Sequence, residues 1–159
     1  QFRKDDVNAD MQKALAVYLS SWVAKLAMFD NNVTRWRGDG EFLDSPFSMQ
    51  KISMAWDYPE VNPFNESTAG ISGQLEWICR VIAHESLLNE GHVHAGKVHC
   101  GDGAKLPLTE RIADVVVTDP PYFDAISFAD LSDFFYVWHK RAVADLFPEA
   151  FATPTTQSR

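Results

Sequence analysis

Apolar side chains recur at three- and four-residue spacing in two long segments of the first half of the chain. Residues 10–29 form the first segment, with Asn8 or Asp10 available as its N-cap. Residues 72–88 form the second segment. Because this spacing places apolar side chains on one face of an α-helix, each segment predicts an amphipathic helix.

The intervening residues 30–70 combine turn-forming residues with many aromatic side chains. The rings belong to Trp36, Phe42, Phe47, Trp56, Tyr58 and Phe64. A solvated linker would not carry so many large apolar side chains. We therefore expect most of these rings to be buried.

Short apolar runs alternate with turns in the second half of the chain. Residues 97–100 read as a short strand closed by a Gly-Asp-Gly turn, and residues 113–118 as a strand covered on both faces. A third helix is predicted over residues 127–148, where Ser127 and Asp130 have capping-box spacing. Together the elements predict an α/β fold with a mostly parallel sheet.

The predicted domain organisation is a single domain over residues 1–159. Within it, residues 10–90 form a helical, aromatic-rich insertion, and residues 96–148 form a β-α-β-α part. The turns after both predicted strands would lie at the carboxyl edge of the sheet, where ligands bind in open parallel sheets.

Composition and charge narrow the class of protein. Of 159 residues, 46% are hydrophobic and 23% charged, as in ordinary globular domains. The net charge of −8 argues against a simple DNA-binding module, which usually has a basic surface. No run is apolar enough for a membrane span, no secretory signal is visible, and two cysteines imply no disulfide scaffold. We expect a cytoplasmic protein.

Candidate chemistry is concentrated in VVVTDPPYFD, residues 115–124. Asp119 offers a carboxylate, and Pro120 and Pro121 offer carbonyls without an N–H group. A pair of acceptors suits an NH2 group, which has two hydrogens to donate, and the ring of Tyr122 suits a flat heterocycle. The alternative is a rigid turn that only ends a strand.

DPPY after a hydrophobic strand resembles the motif of S-adenosylmethionine-dependent methyltransferases that modify exocyclic amines. The longer VVVTDPPYFDAISFADLSDFFYVWHKR, with WDYPEVNPF and LEWICRVI upstream, is similar to the large prokaryotic adenine-specific DNA methylases. The resemblance covers residues 14–146. It implies a partial Rossmann-like methyltransferase fold, S-adenosylmethionine as cofactor, and the N6 amine of a flipped adenine in DNA as acceptor.

The resemblance also implies roles for individual residues. The catalytic residues would be Asp119, Pro120, Pro121 and Tyr122. The residues that bind the cofactor would be Gly101, Asp102, Gly103 and Thr118, and the base would stack on Tyr122 and Phe123. Independently of the resemblance, the carboxamide of Asn62 in EVNPF is a candidate for reading a base edge, although a turn packed by Phe64 explains it equally well.

The sequence departs from the family pattern, which has a glycine-rich turn for the methionine part of the cofactor and an acidic residue for its ribose. Neither is present. We therefore expect a fragment of a longer methyltransferase, with a missing upstream segment as its partner and little activity alone. The alternatives are a cytosine-N4 or RNA methyltransferase and a non-catalytic, degenerate methylase module. His92, His94 and His99 are interpreted as loop residues, and no metal site is predicted.

Overall fold

The computed structural model describes residues 8–48, 54–66, 69–88, 96–99, 101–120, 122 and 126–156. Within these ranges the helices are α1 (Ala9–Ala27), α2 (Ile71–Leu88) and α3 (Phe128–Val143). Two short strands, β1 (Trp36–Arg37) and β2 (Phe42–Leu43), form an antiparallel pair. The helices predicted near residues 10–29, 72–88 and 127–148 are confirmed, although α3 ends before Pro148.

Helix α1 begins where its cap residue satisfies a free backbone donor. The Asn8 side chain accepts a hydrogen bond from the Met11 N–H at 2.8 Å, so Asn8 rather than Asp10 is the cap. A serine is the N-cap residue of α3 as predicted, but the Ser127 side chain makes no capping hydrogen bond.

A single asparagine organises the chain where it leaves α1. The Asn31 NH2 group donates to the carbonyls of Ala27 at 2.7 Å and Met28 at 3.0 Å. Its oxygen accepts from the N–H groups of Val33 at 2.9 Å and Thr34 at 2.8 Å. Because one side chain satisfies both the helix end and the following turn, it fixes the direction in which the chain continues toward β1.

Helix α1 packs against both other helices, and its contacts are partly polar. Trp22 Nε1 donates to the carbonyl of Ile71 at 3.0 Å, which ties α1 to the start of α2. Ser20 Oγ lies 2.9 Å from His139 Nδ1 on α3. One turn further along each helix, Ala24 on α1 and Val143 on α3 are buried. The core is therefore built on α1 with small side chains at the helix contacts.

Aromatic contacts join the loop after β2 to α3. The Phe47 ring centroid lies 5.4 Å from that of Phe134 and 5.3 Å from that of Phe135. On the same helix, Tyr136 Oη donates to the carbonyl of Thr153 at 2.7 Å and holds the C-terminal segment. These contacts make α3 the element on which separate parts of the chain converge.

The predicted α/β fold with a mostly parallel, Rossmann-like sheet is wrong. In the described part of the chain the only sheet is the antiparallel pair of β1 and β2. Residues 97–99 of the strand predicted over 97–100 are irregular, and Cys100 lies outside the described residues. Residues 113–118 are also irregular, and Val115, Val116 and Val117 are 77%, 71% and 90% exposed. A valine-rich run favours an extended backbone, but a strand is stable only when a neighbour pairs with its backbone groups, and no such neighbour is present in the described ranges.

The prediction that most rings of residues 30–70 are buried is also wrong. Trp56 is 90% exposed and Phe64 is 84% exposed, while Trp36, Phe42 and Tyr58 are about half exposed. Among these rings, Phe47 packs against other aromatic side chains. The physical reason is that this segment contributes a small hairpin and turns rather than a layer that covers the helices.

Candidate functional site

The residues expected to accept hydrogen bonds from the target amine lie in an exposed, irregular segment. Asp119, Pro120 and Tyr122 are all exposed, and the Tyr122 side chain is 83% exposed. Pro121 and Phe123 lie outside the described residues. The Asp119 carboxylate and the Tyr122 ring are therefore accessible to a ligand from solvent.

The residues expected to bind the cofactor form a local turn. Asp102 Oδ1 accepts a hydrogen bond from the Ala104 N–H at 3.0 Å, and the Asp102 carbonyl accepts from the Lys105 N–H at 2.9 Å. An aspartate that binds the backbone two residues ahead makes an Asx-turn, the ordinary use of this side chain in a Gly-Asp-Gly sequence. Gly101, Gly103 and Thr118 are exposed. The described residues 101–120 thus do not by themselves enclose a cofactor.

Asn62, the predicted reader of a base edge, lies in a different place. It lines an open pocket of about 570 Å³ between the β1–β2 hairpin and residues 59–65. We call this cavity the aromatic pocket. Its lining consists of Phe29, Trp36, Glu41, Phe42, Leu43, Pro59, Glu60, Val61, Asn62, Asn65 and Ala69. No described residue of 101–122 lines it, so the structure does not bring Asn62 together with the Asp119 segment there.

The hairpin that carries the pocket is shaped by its four-residue loop. Trp36 pairs with Leu43 across the two strands, and the loop between them ends at Glu41, which has a left-handed backbone with φ of 52°. The Gly40 N–H donates to the Arg37 carbonyl at 3.4 Å. Four-residue hairpin loops are commonly built around such a turn. The loop therefore sets Glu41 and Phe42 at the edge of the pocket.

A network of ion pairs fixes the hairpin from outside the pocket lining. Arg37 contacts Asp39 at 2.6 Å and Asp44 at 3.7 Å, and Arg35 contacts Asp44 at 2.7 Å. The side-chain hydrogen bond from Arg37 lowers the pKa of Asp39 to about 2, and the bond from Arg35 lowers the pKa of Asp44. Both aspartates are therefore ionised at neutral pH, and their charges are compensated by the two arginines.

The Asn62 side chain is held in a defined orientation at the pocket. Its Oδ1 accepts a hydrogen bond from the Phe64 N–H at 3.1 Å, and its backbone carbonyl accepts from the Asn65 N–H at 3.2 Å. The oxygen is thus engaged in an Asx-turn, and the NH2 group is the part of the carboxamide that can serve a ligand. Asn62 therefore lies in a turn, but Phe64 is 84% exposed and does not pack that turn as predicted. The role of Asn62 in reading a base edge stays a prediction.

Sequence reasoning did not identify the other residues of the aromatic pocket. Trp36 and Phe42 were expected to be core residues, and Glu41 and Glu60 were not selected at all. The only sequence signal was the abundance of rings in residues 30–70 around the Gly38-Asp39-Gly40 turn. That signal indicates a hairpin with aromatic side chains, but not which rings remain exposed.

The described ranges hold neither a metal-binding cluster nor a membrane-spanning helix. They contain no group of three histidine, cysteine or acidic residues arranged to hold a metal ion. His92 and His94 lie outside these ranges. No helix in the same ranges is both long and apolar enough to cross a membrane.

Comparisons of the chain with protein-family models, curated proteins and solved structures found no match. The resemblance to adenine-specific DNA methylases therefore rests on the DPPY segment and the two upstream segments of the sequence.

Proposed function

We propose that this chain supplies the residues that accept hydrogen bonds from the target amine in an S-adenosylmethionine-dependent methyltransferase. The target is the N6 amine of adenine in DNA. The observation that carries the proposal is the sequence Asp119-Pro120-Pro121-Tyr122, of which the described carboxylate and ring are exposed. An exposed tyrosine ring three residues after an exposed carboxylate is accessible to a base that has been flipped out of its duplex.

The chemistry of the acceptor explains why these residue types would be needed. The exocyclic amine of adenine is a poor nucleophile because its lone pair is delocalised into the ring. When Asp119 and the Pro120 carbonyl each accept one N–H, the nitrogen becomes pyramidal and its lone pair points away from the ring. Preorganised acceptors of this kind lower the barrier by positioning and by electrostatic stabilisation. Tyr122 stacks on the base and holds its plane.

The cofactor supplies an electrophilic methyl group on a sulfonium when it is bound. Residues 101–120 are exposed in the described structure, and Asp102 already accepts the Ala104 N–H. The geometry of the Gly101–Gly103 turn therefore supports no assignment of a bound cofactor, and the proposal rests on the acceptor residues.

The first experiment is a calorimetric titration of this 159-residue chain with S-adenosylmethionine. Saturable binding that Asp102→Ala weakens, and that Asp114→Ala leaves unchanged, would support the proposal. Asp114 is the matched control because it is an exposed aspartate of the same irregular segment. Absence of binding would mean that this chain does not hold the cofactor by itself, as its lack of the glycine-rich turn predicts, and would leave the acceptor residues to be tested by methyl transfer.

The second experiment measures transfer of a labelled methyl group to DNA. Asp119→Ala should lower the rate by about a hundredfold or more, as expected when a preorganised acceptor is removed. Asp114→Ala should retain the activity. Digestion to nucleosides identifies the acceptor, because N6-methyl-2′-deoxyadenosine supports adenine, whereas N4-methyl-2′-deoxycytidine, or methylation of an RNA substrate in a parallel assay, supports the alternative amine acceptors.

A second candidate is a non-catalytic module that binds another protein. The exposure of Val115, Val116 and Val117 favours it, since adjacent exposed apolar side chains are typical of interaction surfaces. No methylation by either the wild-type chain or Asp119→Ala would favour this candidate over the enzyme, whereas equal methylation by both would contradict the role of Asp119.

A further inference from the structure

The aromatic pocket has the size and the lining of a small-molecule site. We infer that it binds a small, planar heteroaromatic cation that carries N–H donors. The inference is independent of the proposed methyl transfer, because no described residue of 101–122 lines the pocket. Its volume of about 570 Å³ is within the range of ordinary ligand pockets.

Two rings of the pocket leave much of their surface uncovered. Trp36 is 48% exposed and Phe42 is 49% exposed, although both belong to paired strands. Covering the face of an aromatic side chain is stabilising because it removes apolar surface from water. A flat ligand covers a ring face with little loss of conformational freedom. One side of Phe42 already faces the Arg37 guanidinium, 5.8 Å from the ring centroid, and the ring faces that remain open attract positive charge through the same quadrupole.

The charge of the pocket lining determines whether a positively or a negatively charged ligand is favoured. Both ionisable residues among the described lining are glutamates, Glu41 and Glu60. The neighbouring cation in β1, Arg37, is paired with Asp39 and Asp44, so it does not compensate these carboxylates directly. A positively charged ligand is therefore attracted, whereas a phosphate group is repelled. This excludes nucleotides as the ligand class.

Hydrogen-bonding groups define the remaining features of the ligand. The two glutamate carboxylates accept N–H groups, and charged acceptors give hydrogen bonds stronger than neutral ones. The Asn62 NH2 group is oriented by the bond from Phe64 N–H to Asn62 Oδ1, and it can donate to a second, unprotonated ring nitrogen in ligands that have one. An amino-substituted nitrogen heterocycle, protonated at neutral pH, combines these features.

The test compares two probes of nearly the same shape by calorimetric titration. Protonated 4-aminoquinoline is a planar cation with N–H donors, and quinoline is its neutral counterpart at neutral pH. We expect saturable binding of 4-aminoquinoline and at least about tenfold weaker binding of quinoline, a difference that corresponds to about 1.4 kcal/mol. Equal affinity for the two probes, or no saturable binding of either, would overturn the inference.

Variants locate the binding on the protein. The double substitution Glu41→Gln and Glu60→Gln removes both charges and keeps the size of the side chains, so it should weaken 4-aminoquinoline by about tenfold. Trp36→Leu should weaken both probes, because it removes a ring face from the pocket. Glu66→Gln is the matched control, since Glu66 is an exposed glutamate near the pocket that does not line it.

The control separates a specific site from general attraction to an acidic protein. Because the chain has a net charge of −8, a cation can associate with many carboxylates. Because Glu66→Gln removes one charge and the double variant two, a loss of binding free energy in Glu66→Gln of half that in the double variant, or more, would assign the binding to overall charge and overturn the inference. Circular dichroism establishes that each variant is folded, and the comparison of the two probes on the wild-type chain requires no variant.

Discussion

Ser20 Oγ and His139 Nδ1 lie 2.9 Å apart and join α1 to α3 across 119 residues of sequence. Ser20 is 2% exposed, and its hydroxyl also donates to the Val17 carbonyl at 2.8 Å. With that proton committed to Val17, the bond to His139 forms when the imidazole donates from Nδ1. The pair shows that the main helix contact depends on a titratable group.

The first prediction concerns the stability of the fold in acid. Partial burial lowers the pKa of His139 because it penalises the charged imidazolium. The unfolded chain, whose histidine pKa is ~6.5, then binds more protons than the folded chain, so acidification favours unfolding. The contribution of His139 to stability is fully present above pH ~6.5, the pKa of the unfolded chain. It is lost as the pH falls through the lower pKa of His139 in the folded chain. Urea unfolding at a series of pH values should show this decrease.

The control for this prediction is a second histidine of the described chain. His139→Gln should flatten the dependence of the unfolding free energy on pH in this window. His84→Gln should leave it as in the wild type, since His84 is exposed on α2. A wild-type dependence that persists in His139→Gln would assign the acid sensitivity to other groups.

The second prediction concerns the asparagine that follows α1. Asn31→Ala removes two donated and two accepted hydrogen bonds, all made to backbone groups. At about 1 kcal/mol for each bond, with partial replacement by water, we expect a loss of about 2 kcal/mol in unfolding free energy. Asn32→Ala should change it by less than about 0.5 kcal/mol, because the adjacent side chain is exposed. Denaturant unfolding of both variants measures the difference, and equal effects would contradict the role of Asn31.

The third prediction concerns the ion pairs of the hairpin. Arg37 donates from Nε to Asp39 at 2.9 Å and from a terminal nitrogen at 2.6 Å, a bidentate contact that favours the carboxylate form. The pKa of Asp39 should therefore be about 2 in the wild type and should rise toward its ordinary value in Arg37→Gln. Carboxyl carbon shifts recorded by NMR across the acid range measure both values. Lys105→Gln is the control, and an unchanged pKa in Arg37→Gln would show that the pair is not formed in solution.

Local signals in the sequence were sufficient to predict the helices, and long-range pairing was not predictable in the same way. Asn8 and the three- and four-residue spacing of residues 10–29 act within α1 itself, and the helix forms there. The valines of residues 115–117 favour an extended chain equally clearly, but whether such a chain becomes a strand depends on a partner far away in sequence. The predicted α/β fold class is wrong because it required these residues to pair as a strand.

The same difference between local sequence signals and three-dimensional geometry applies to the candidate site. Asn62 was selected from the chemistry of its carboxamide as a reader of a base edge, and it lines the aromatic pocket, which no described residue of 101–122 lines. The pocket itself depends on the hairpin register that places Trp36 opposite Leu43 and on the left-handed backbone at Glu41. Neither feature is visible in spacing or composition, because both follow from turn geometry.

The last prediction tests whether the hairpin loop shapes the aromatic pocket. A Cβ atom added at Gly40 would lie 2.5 Å from Cε1 and 2.7 Å from Cδ1 of the Phe42 ring. Gly40→Ala must therefore displace the ring from its place in the pocket lining or strain the loop, and because the ring is half exposed we expect a cost of about 1 kcal/mol. Gly38→Ala is the matched control, because a Cβ atom there meets nothing within 4 Å.

Two measurements check this prediction independently of any ligand. Denaturant unfolding should show a loss of stability for Gly40→Ala and a change within about 0.5 kcal/mol for Gly38→Ala. The aromatic proton shifts of Phe42 should move in Gly40→Ala alone, because the ring lies over the Arg37 guanidinium, 5.8 Å from its centroid, and would leave that position. Identical shifts and stabilities in the two variants would mean that the loop does not hold Phe42 in the pocket.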